Sequence, residues 1–139
     1  MSYLKWTEAY SVNNAEIDEQ HKRLFALVNE LHDAMQAHRR GDLTGTVNAL
    51  VEYTDYHFKA EERLLRACRY PAYDEHKEMH ESLTRRAQSM KEGFESGSAP
   101  TSIEVLLLLA NWLNLHILEE DRKYKPYIHD CAEGQKQAT

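Results

Sequence analysis

The sequence predicts an all-α protein, an antiparallel up-down-up-down four-helix bundle with an extended N-terminal leader and a short C-terminal helix. Four stretches of about 20 residues repeat apolar side chains at spacings of three and four, which is the helical period. The connections between them are short, so sequential helices should be antiparallel neighbours, and strand-like alternation is weak throughout. We therefore expect the 139 residues to form one domain, with a leader (1–17), a bundle (18–131) and a polar tail (132–139).

The leader and the first helix are predicted from local signals. The first helix should run from about residue 18 to residue 38, with Asp18 as its N-cap and Gly41 as the residue that stops it. Ahead of it, Trp6 and Tyr10 are aromatic anchors expected to pin the leader across the bundle.

The other helices follow from periodicity and from residues that break helices. The second should span about 43–67, because Pro71 prevents further helical continuation. The third should span about 72–94, and the fourth should begin at the capping-box sequence of residues 101–104. A short final helix is expected over about 121–131.

Composition excludes several classes of protein. The net charge of −6 comes without a basic stripe, so nucleic acid is not an expected partner. No apolar run is long enough to span a membrane. Cys68 and Cys131 form no C-x-x-C pair and are interpreted as free thiols without a special role, which fits a reducing compartment and a cytoplasmic protein. The oligomeric state is not predicted.

Seven potential metal ligands lie on the apolar faces of the predicted helices. Two pairs are four residues apart, so each pair faces one direction on its helix. Positions early in odd helices and late in even helices lie at the same end of an antiparallel bundle, which brings all seven to one level. Imidazole and carboxylate groups without thiols are typical of transition-metal sites. The seven residues are His21, His57, Glu61, His76, His80, His116 and Asp121.

One of the seven does not fit a regular helix. Asp121 follows His116 by five residues, which is a rotation of about 500°, or about 140° away from the same face. Both side chains can reach one site only if the backbone between them is irregular. We therefore predict a π-bulge or a loosened helix there.

Counting coordination positions indicates two metals with one vacancy. Two octahedral metals offer about twelve positions, and seven side chains, two of them bridging, fill about nine. A bridging oxo or hydroxo group would fill two more and leave one position for a small ligand. The alternative is a set of hydrogen-bonded core histidines, but burying five histidines and two carboxylates at one level without a metal would be very costly.

At these residues the chain resembles the hemerythrin family, and its short form is similar to the bacteriohemerythrins. The resemblance extends from Trp6 to about Tyr127 and includes all seven positions. It implies an oxo- or hydroxo-bridged di-iron site that binds O₂. The roles it implies are a saturated iron held by His76, His80 and His116, an open iron held by His21 and His57, and bridges formed by Glu61 and Asp121.

The resemblance also implies an apolar O₂ pocket that keeps water away from the site. The same residues could equally be ordinary core. Tyr124, one turn after Asp121, is a candidate partner for a ligand, whereas His32, His38 and His129 are expected to be surface or supporting residues. The pocket residues implied are Leu24, Phe58, Trp112, Leu113 and Ile117.

The expected function is reversible O₂ binding for storage, delivery or scavenging, rather than catalysis, and an O₂-consuming enzyme could be the recipient. Two alternatives remain open. One is a di-iron oxidase, peroxidase or nitric oxide-handling enzyme, although the chain has no E-x-x-H motif of the ferritin-like kind. The other is an O₂ or redox sensor acting through a separate partner. The same ligands would also accept manganese or zinc.

Overall fold

The computed structural model describes residues 4–36, 40–95, 102–129 and 131. Within them the chain is helical, apart from the leader and the turns, and contains no strand, which confirms the predicted fold class. A short 3₁₀ turn lies in the leader at Glu8–Tyr10. The helices that follow are α1 (Ala15–Gln36), α2 (Arg40–Ala67), α3 (Tyr73–Glu95), α4 (Ser102–Leu115), a π-helix (His116–Asp121) and α5 (Arg122–His129).

The four long helices pack as a ring of neighbours. Helix α1 contacts α2 and α4, and α3 contacts α2 and α4, while α5 packs against α2. Each of the long helices therefore lies beside the helix that precedes or follows it in the chain. This is the arrangement that short connections impose on a four-helix bundle.

Two hydrophobic clusters occupy the interior, one on each side of a polar level. The larger cluster contains Leu24 of α1 and Leu113 of α4, and the smaller one contains Ile17 of α1 and Tyr124 of α5. The predicted metal ligands lie between these clusters along the helices, as His21 does between Ile17 and Leu24. The candidate site is therefore closed above and below by apolar side chains.

The start of α1 differs from the prediction that Asp18 is its N-cap. Helix α1 begins at Ala15, and the side-chain oxygen of Asn14 accepts a hydrogen bond from the backbone N–H of Ile17 at 2.9 Å, as an N-cap does. The Asp18 carboxylate instead accepts hydrogen bonds from the Ser11 hydroxyl at 2.6 Å and the Val12 N–H at 2.9 Å. The Asp18 side chain therefore links the leader to α1, the helix that Asp18 was expected to cap.

The prediction that Gly41 stops the first helix is wrong. Helix α2 begins at Arg40, so Gly41 lies in the first turn of the next helix. A glycine beside a very short connection can belong to the end of one helix or the start of another, and periodicity does not separate the two. Thr101, His38 and the tail from residue 132 lie outside the described residues.

The leader packs across α1 and α4, as expected from its aromatic residues Trp6 and Tyr10. The Tyr10 ring lies edge-on to Phe25 with centroids 4.8 Å apart, and Trp6 lies 5.9 Å from the same ring. The Tyr10 hydroxyl donates a hydrogen bond to the Asn114 side chain at 2.6 Å. The Asn29 side chain exchanges two hydrogen bonds with the Leu4 backbone.

The cysteines correct a second expectation. Cys68 and Cys131 form a disulfide between the turn after α2 and the residue two positions beyond α5, so their interpretation as free thiols is wrong. The partners are 63 residues apart in sequence and meet only because α5 packs against α2, which no local spacing reveals. The inference of a reducing compartment loses its basis. No helix in the described ranges is long and apolar enough to cross a bilayer.

Candidate metal centre

The seven predicted ligand residues lie together in the interior. Each is at most 6% exposed. Their ligand atoms form two groups, and within each group these atoms lie within 4.8 Å of one another. The first group is Glu61, His76, His80, His116 and Asp121, and the second is His21, His57, Glu61 and Asp121.

The two groups share both carboxylates, and Glu61 directs one oxygen toward each group. Its Oε1 lies 2.9 Å from Nε2 of His76 and 3.1 Å from Nε2 of His80. Its Oε2 lies 3.2 Å from Nε2 of His57 and 3.4 Å from Nε2 of His21. A carboxylate placed in this way can bridge two cations.

Asp121 repeats this division between the two groups. Its Oδ1 lies 3.0 Å from Nε2 of both His76 and His116, and its Oδ2 lies 3.2 Å from Nε2 of His21. The two carboxylates therefore face the same two sets of imidazoles. The geometry distinguishes a group of three histidines (His76, His80 and His116) from a pair (His21 and His57).

A π-helix brings Asp121 to the site. Residues His116–Asp121 form this segment, and both end residues are buried. Because backbone hydrogen bonds in a π-helix link residues that are five positions apart, side chains five apart lie on nearly the same face of the helix. The predicted irregular backbone between these residues is confirmed, and it resolves the rotation that a regular α-helix would impose.

Two histidines are oriented by hydrogen bonds on their outer side. Nδ1–H of His57 donates to Oε1 of Gln20 at 2.7 Å, and Nδ1–H of His80 donates to Oε2 of Glu62 at 2.8 Å. With the proton on Nδ1, the lone pair of Nε2 points into the site. This is the tautomer that a histidine needs to bind a metal through Nε2.

The converging nitrogens fit a cation better than they fit one another. Nε2 of His116 lies 3.1 Å from Nε2 of His80 and 3.3 Å from Nε2 of His76. Both ring nitrogens of His21 and both oxygens of Asp121 are buried and, among the described residues, make no hydrogen bond of regular geometry, although some of these atoms lie within 3.2 Å of an oppositely charged group. Buried polar atoms that lack a regular hydrogen bond are costly, and metal ions coordinated by this imidazole and carboxylate set would satisfy them.

Tyr124 supports Glu61 from α5. Its hydroxyl donates a hydrogen bond to Oε2 of Glu61, one of the seven predicted ligands, at 2.9 Å. Complete burial, together with the charges of Glu61 and Asp121, holds the pKa of Tyr124 well above its ordinary value. The phenol therefore remains a donor, which fixes the orientation of the carboxylate.

The buried histidines and carboxylates shift one another's pKa values. Burial disfavours the charged form of His76, but its contacts with Asp121 and Glu61 outweigh burial and raise its pKa to about 10. The same opposition raises the pKa of His21 to about 9. Burial alone would raise the pKa values of Glu61 and Asp121, yet the surrounding histidines hold both well below their ordinary values. A metal would displace these histidine protons.

All but one of the residues predicted to form the O₂ pocket are fully buried, and two of them stack on histidines of the site. Leu24, Phe58, Leu113 and Ile117 are at most 1% exposed, and Trp112 is half-buried. The ring of Phe58 stacks on His80 at 3.8 Å, and that of Trp112 stacks on His116 at 4.2 Å. Both aromatic residues thus cover the group of three histidines. The pocket role stays a prediction.

Sequence reasoning missed Gln20 and Glu62. Both are buried polar residues set in an apolar stripe: Gln20 follows Ile17 by three positions and precedes Leu24 by four. A polar residue at such a position beside a ligand was the available signal. His32 is half-buried and His129 is exposed, and neither belongs to the two groups.

Comparison with known proteins agrees with the geometry. The family model for the hemerythrin HHE cation binding domain matches residues 12–128. The bacteriohemerythrin of Pseudomonas aeruginosa is 34% identical over 134 residues, which cover 96% of this chain and 87% of that protein. The bacteriohemerythrin of Methylococcus capsulatus is 31% identical over 129 residues, covering 92% and 98% respectively. A solved structure of wild-type hemerythrin has a TM-score of 0.85 at 30% identity, covering 90% of this chain and 97% of the other. The chain therefore belongs to the hemerythrin family, whose metal-binding domain it carries.

Proposed function

We propose that this protein binds O₂ reversibly at a di-iron centre held by the seven clustered residues. The observation that supports this best is the division of each carboxylate between the two groups of imidazoles. In this proposal His76, His80 and His116 would hold one iron, His21 and His57 would hold the other, and Glu61 and Asp121 would be ligands shared by both. When bound, the two irons would supply the position for O₂ and the electrons that it accepts.

The unequal number of histidines supports binding of a small ligand on one side. One group contains three imidazoles and the other contains two, and the two groups share Glu61 and Asp121. With shared carboxylates and equal coordination numbers, the side with two imidazoles has one fewer protein ligand. We assign the O₂ position to this side, next to His21 and His57.

The protein's own contribution, in this proposal, is to fix the ligands and to exclude water. Leu24, Phe58, Trp112, Leu113 and Ile117 form the apolar surroundings that we assign to the O₂ pocket. Tyr124 holds Glu61 through its hydroxyl. An apolar wall would slow entry of water and protons, which promote irreversible oxidation of the site.

The experiment is a cycle of gas exchange. Metal-free protein is loaded with Fe(II) under nitrogen, O₂ is admitted, and the visible spectrum is followed through repeated degassing. A charge-transfer band that appears with O₂ and disappears on degassing over several cycles supports the proposal. Irreversible bleaching accompanied by oxidation of an added substrate would contradict it and indicate an enzyme.

We further propose that the physiological role is O₂ storage, delivery or scavenging, with an O₂-consuming enzyme as a recipient. The site is rich in histidine, whereas the di-iron sites of ferritin-like proteins are rich in carboxylates. We take the histidine-rich ligand set to favour O₂ binding over strong oxidation. The Cys68–Cys131 disulfide removes the cysteine-based support for a cytoplasmic location, which stays a proposal. The redox state of the Cys68–Cys131 pair in protein taken directly from cells tests it, since a fully oxidised pair would favour an oxidising compartment.

A further inference from the structure

The two groups of histidines differ in what lies behind them. In the group of three, Nδ1–H of His80 donates to a carboxylate, that of Glu62, at 2.8 Å. In the pair, Nδ1–H of His57 donates to a neutral amide, that of Gln20, at 2.7 Å. All four side chains are buried. The two hydrogen bonds are alike in length and differ in the charge of the acceptor.

This difference reaches the metal-binding nitrogen through the imidazole ring. A carboxylate attracts the Nδ1 proton more strongly than an amide does, so the ring gains imidazolate character and its Nε2 becomes a stronger donor. The ring of His80 is also held in place, because Phe58 lies parallel to it at 3.8 Å with an angle of 2° between the planes. Glu62 therefore acts on a ring whose direction is already fixed.

We propose that Glu62 and Gln20 are positioning residues that make the two metal positions unequal. Glu62 increases the metal affinity of the position held by His76, His80 and His116. Gln20 leaves the position that includes His57 with the lower metal affinity and the faster metal exchange. This inference rests on the proposed two-metal site. It places the tightly held metal on the saturated side and the adaptable metal on the side where a small ligand would bind.

Cobalt(II) binding under nitrogen tests this without involving O₂. The variants are Glu62→Gln and Gln20→Glu, both isosteric, with Glu81→Gln as a control that removes a nearby carboxylate making no hydrogen bond to His80. Affinities are measured by competition with a chromophoric chelator, after circular dichroism has shown that each variant is folded. In a His57→Ala background, which should keep only the position with three histidines, E62Q should weaken cobalt binding about tenfold.

The reciprocal change should act in the opposite direction. In a His76→Ala/His80→Ala background, which leaves one imidazole in the group of three, Q20E should strengthen binding at the position of His21 and His57 about tenfold, and E62Q should have no effect because its hydrogen-bond partner is absent. Equal losses in E62Q and E81Q, or an E62Q effect that persists without His80, would overturn the inference. If both changes behave as expected but the iron form shows no reversible response to O₂, the inference stands and the proposed function fails.

Discussion

At the scale of single residues, Glu61 and Asp121 connect everything else in the site. Each is fully buried and each contacts histidines of both groups. Isolated burial of a carboxylate would be prohibitive, so these two side chains and the five imidazoles stabilise one another. Replacing any one histidine of the set should therefore change the number of metal ions that the protein binds.

His57→Ala should lower the metal content of the purified protein from about two ions per chain to about one, because the pair would then lack an imidazole. Elemental analysis of iron-loaded protein measures this. His32→Ala, which changes a half-buried histidine outside both groups, should retain the wild-type content. Two ions per chain and an unchanged spectrum in H57A would contradict the ligand assignment.

Leu113→Ala should shorten the life of the O₂-dependent absorption band several-fold, because water would gain access to the site. The rate of its irreversible decay in air is the measurement. Leu109→Ala is a matched control, since Leu109 is equally buried in the same cluster but lies one turn farther from His116. Both variants should lose about 2–5 kcal/mol of stability. Equal decay rates in the two would show that Leu113 does not protect the site.

At the scale of elements, the sequence predicted what depends on period and spacing. Helical stripes located the four long helices, and the five-residue step from His116 to Asp121 required the break that the π-helix supplies. Helix ends were less predictable, because Asn14 rather than Asp18 caps α1 and Gly41 belongs to α2. Several polar residues near the start of a helix can act as its N-cap, and the free energies of these alternatives differ little. The contacts of the folded leader decide which residue takes this role.

Three features depended on tertiary contacts and were missed. The hydrogen bonds between His57 and Gln20 and between His80 and Glu62 join residues that are 37 and 18 positions apart in sequence. The disulfide likewise joins the ends of α2 and α5. None of these has a characteristic spacing, so a single sequence offers only the weak signal of a polar residue on an apolar face.

Reduction of the Cys68–Cys131 disulfide should destabilise the end of the bundle at which α5 packs on α2. The chain-entropy model gives about 4 kcal/mol for a closed loop of this length, whose ends are 63 residues apart. Denaturant unfolding with and without reductant measures the difference. In Cys68→Ser/Cys131→Ser protein the reductant should have no effect. An unchanged midpoint for the wild type would indicate that the bond does not form in solution.

At the scale of the whole molecule, the site is a polar layer between two apolar clusters. The fold therefore contains a layer of buried histidines and carboxylates that can bind either protons or metal ions. This predicts a pH dependence in which the metal-free and metal-loaded proteins differ, since only the metal-free protein carries protons on the histidine nitrogens that face the site.

Metal-free protein should lose stability as the pH rises from 6.5 toward 10. The folded pKa values of His21 and His76, about 9 and about 10, exceed the ordinary value of 6.5, so their contribution is complete below pH 6.5 and is lost through that range. Glu61 and Asp121 have lowered pKa values, so their contribution is present above their ordinary values and is lost in acid. Denaturant midpoints at pH 6 and pH 10 measure the alkaline loss.

The metal-loaded protein is the control for this prediction, since it has the same lysines and tyrosines but no protons on its ligand nitrogens. Its midpoint should fall less between the same two pH values. Parallel losses in both forms would mean that groups outside the site cause the alkaline effect.

The most direct test of the account is a titration of metal-free protein with Fe(II) under nitrogen, in which each sample is exposed to O₂ and then degassed. We predict that the amplitude of the reversible visible band rises until about two irons are bound per chain and then stays constant. In Glu61→Ala protein, which lacks one of the two shared carboxylates, the reversible band should be absent. A band that saturates at one iron per chain, or two bound irons without any reversible band, would contradict the central claim.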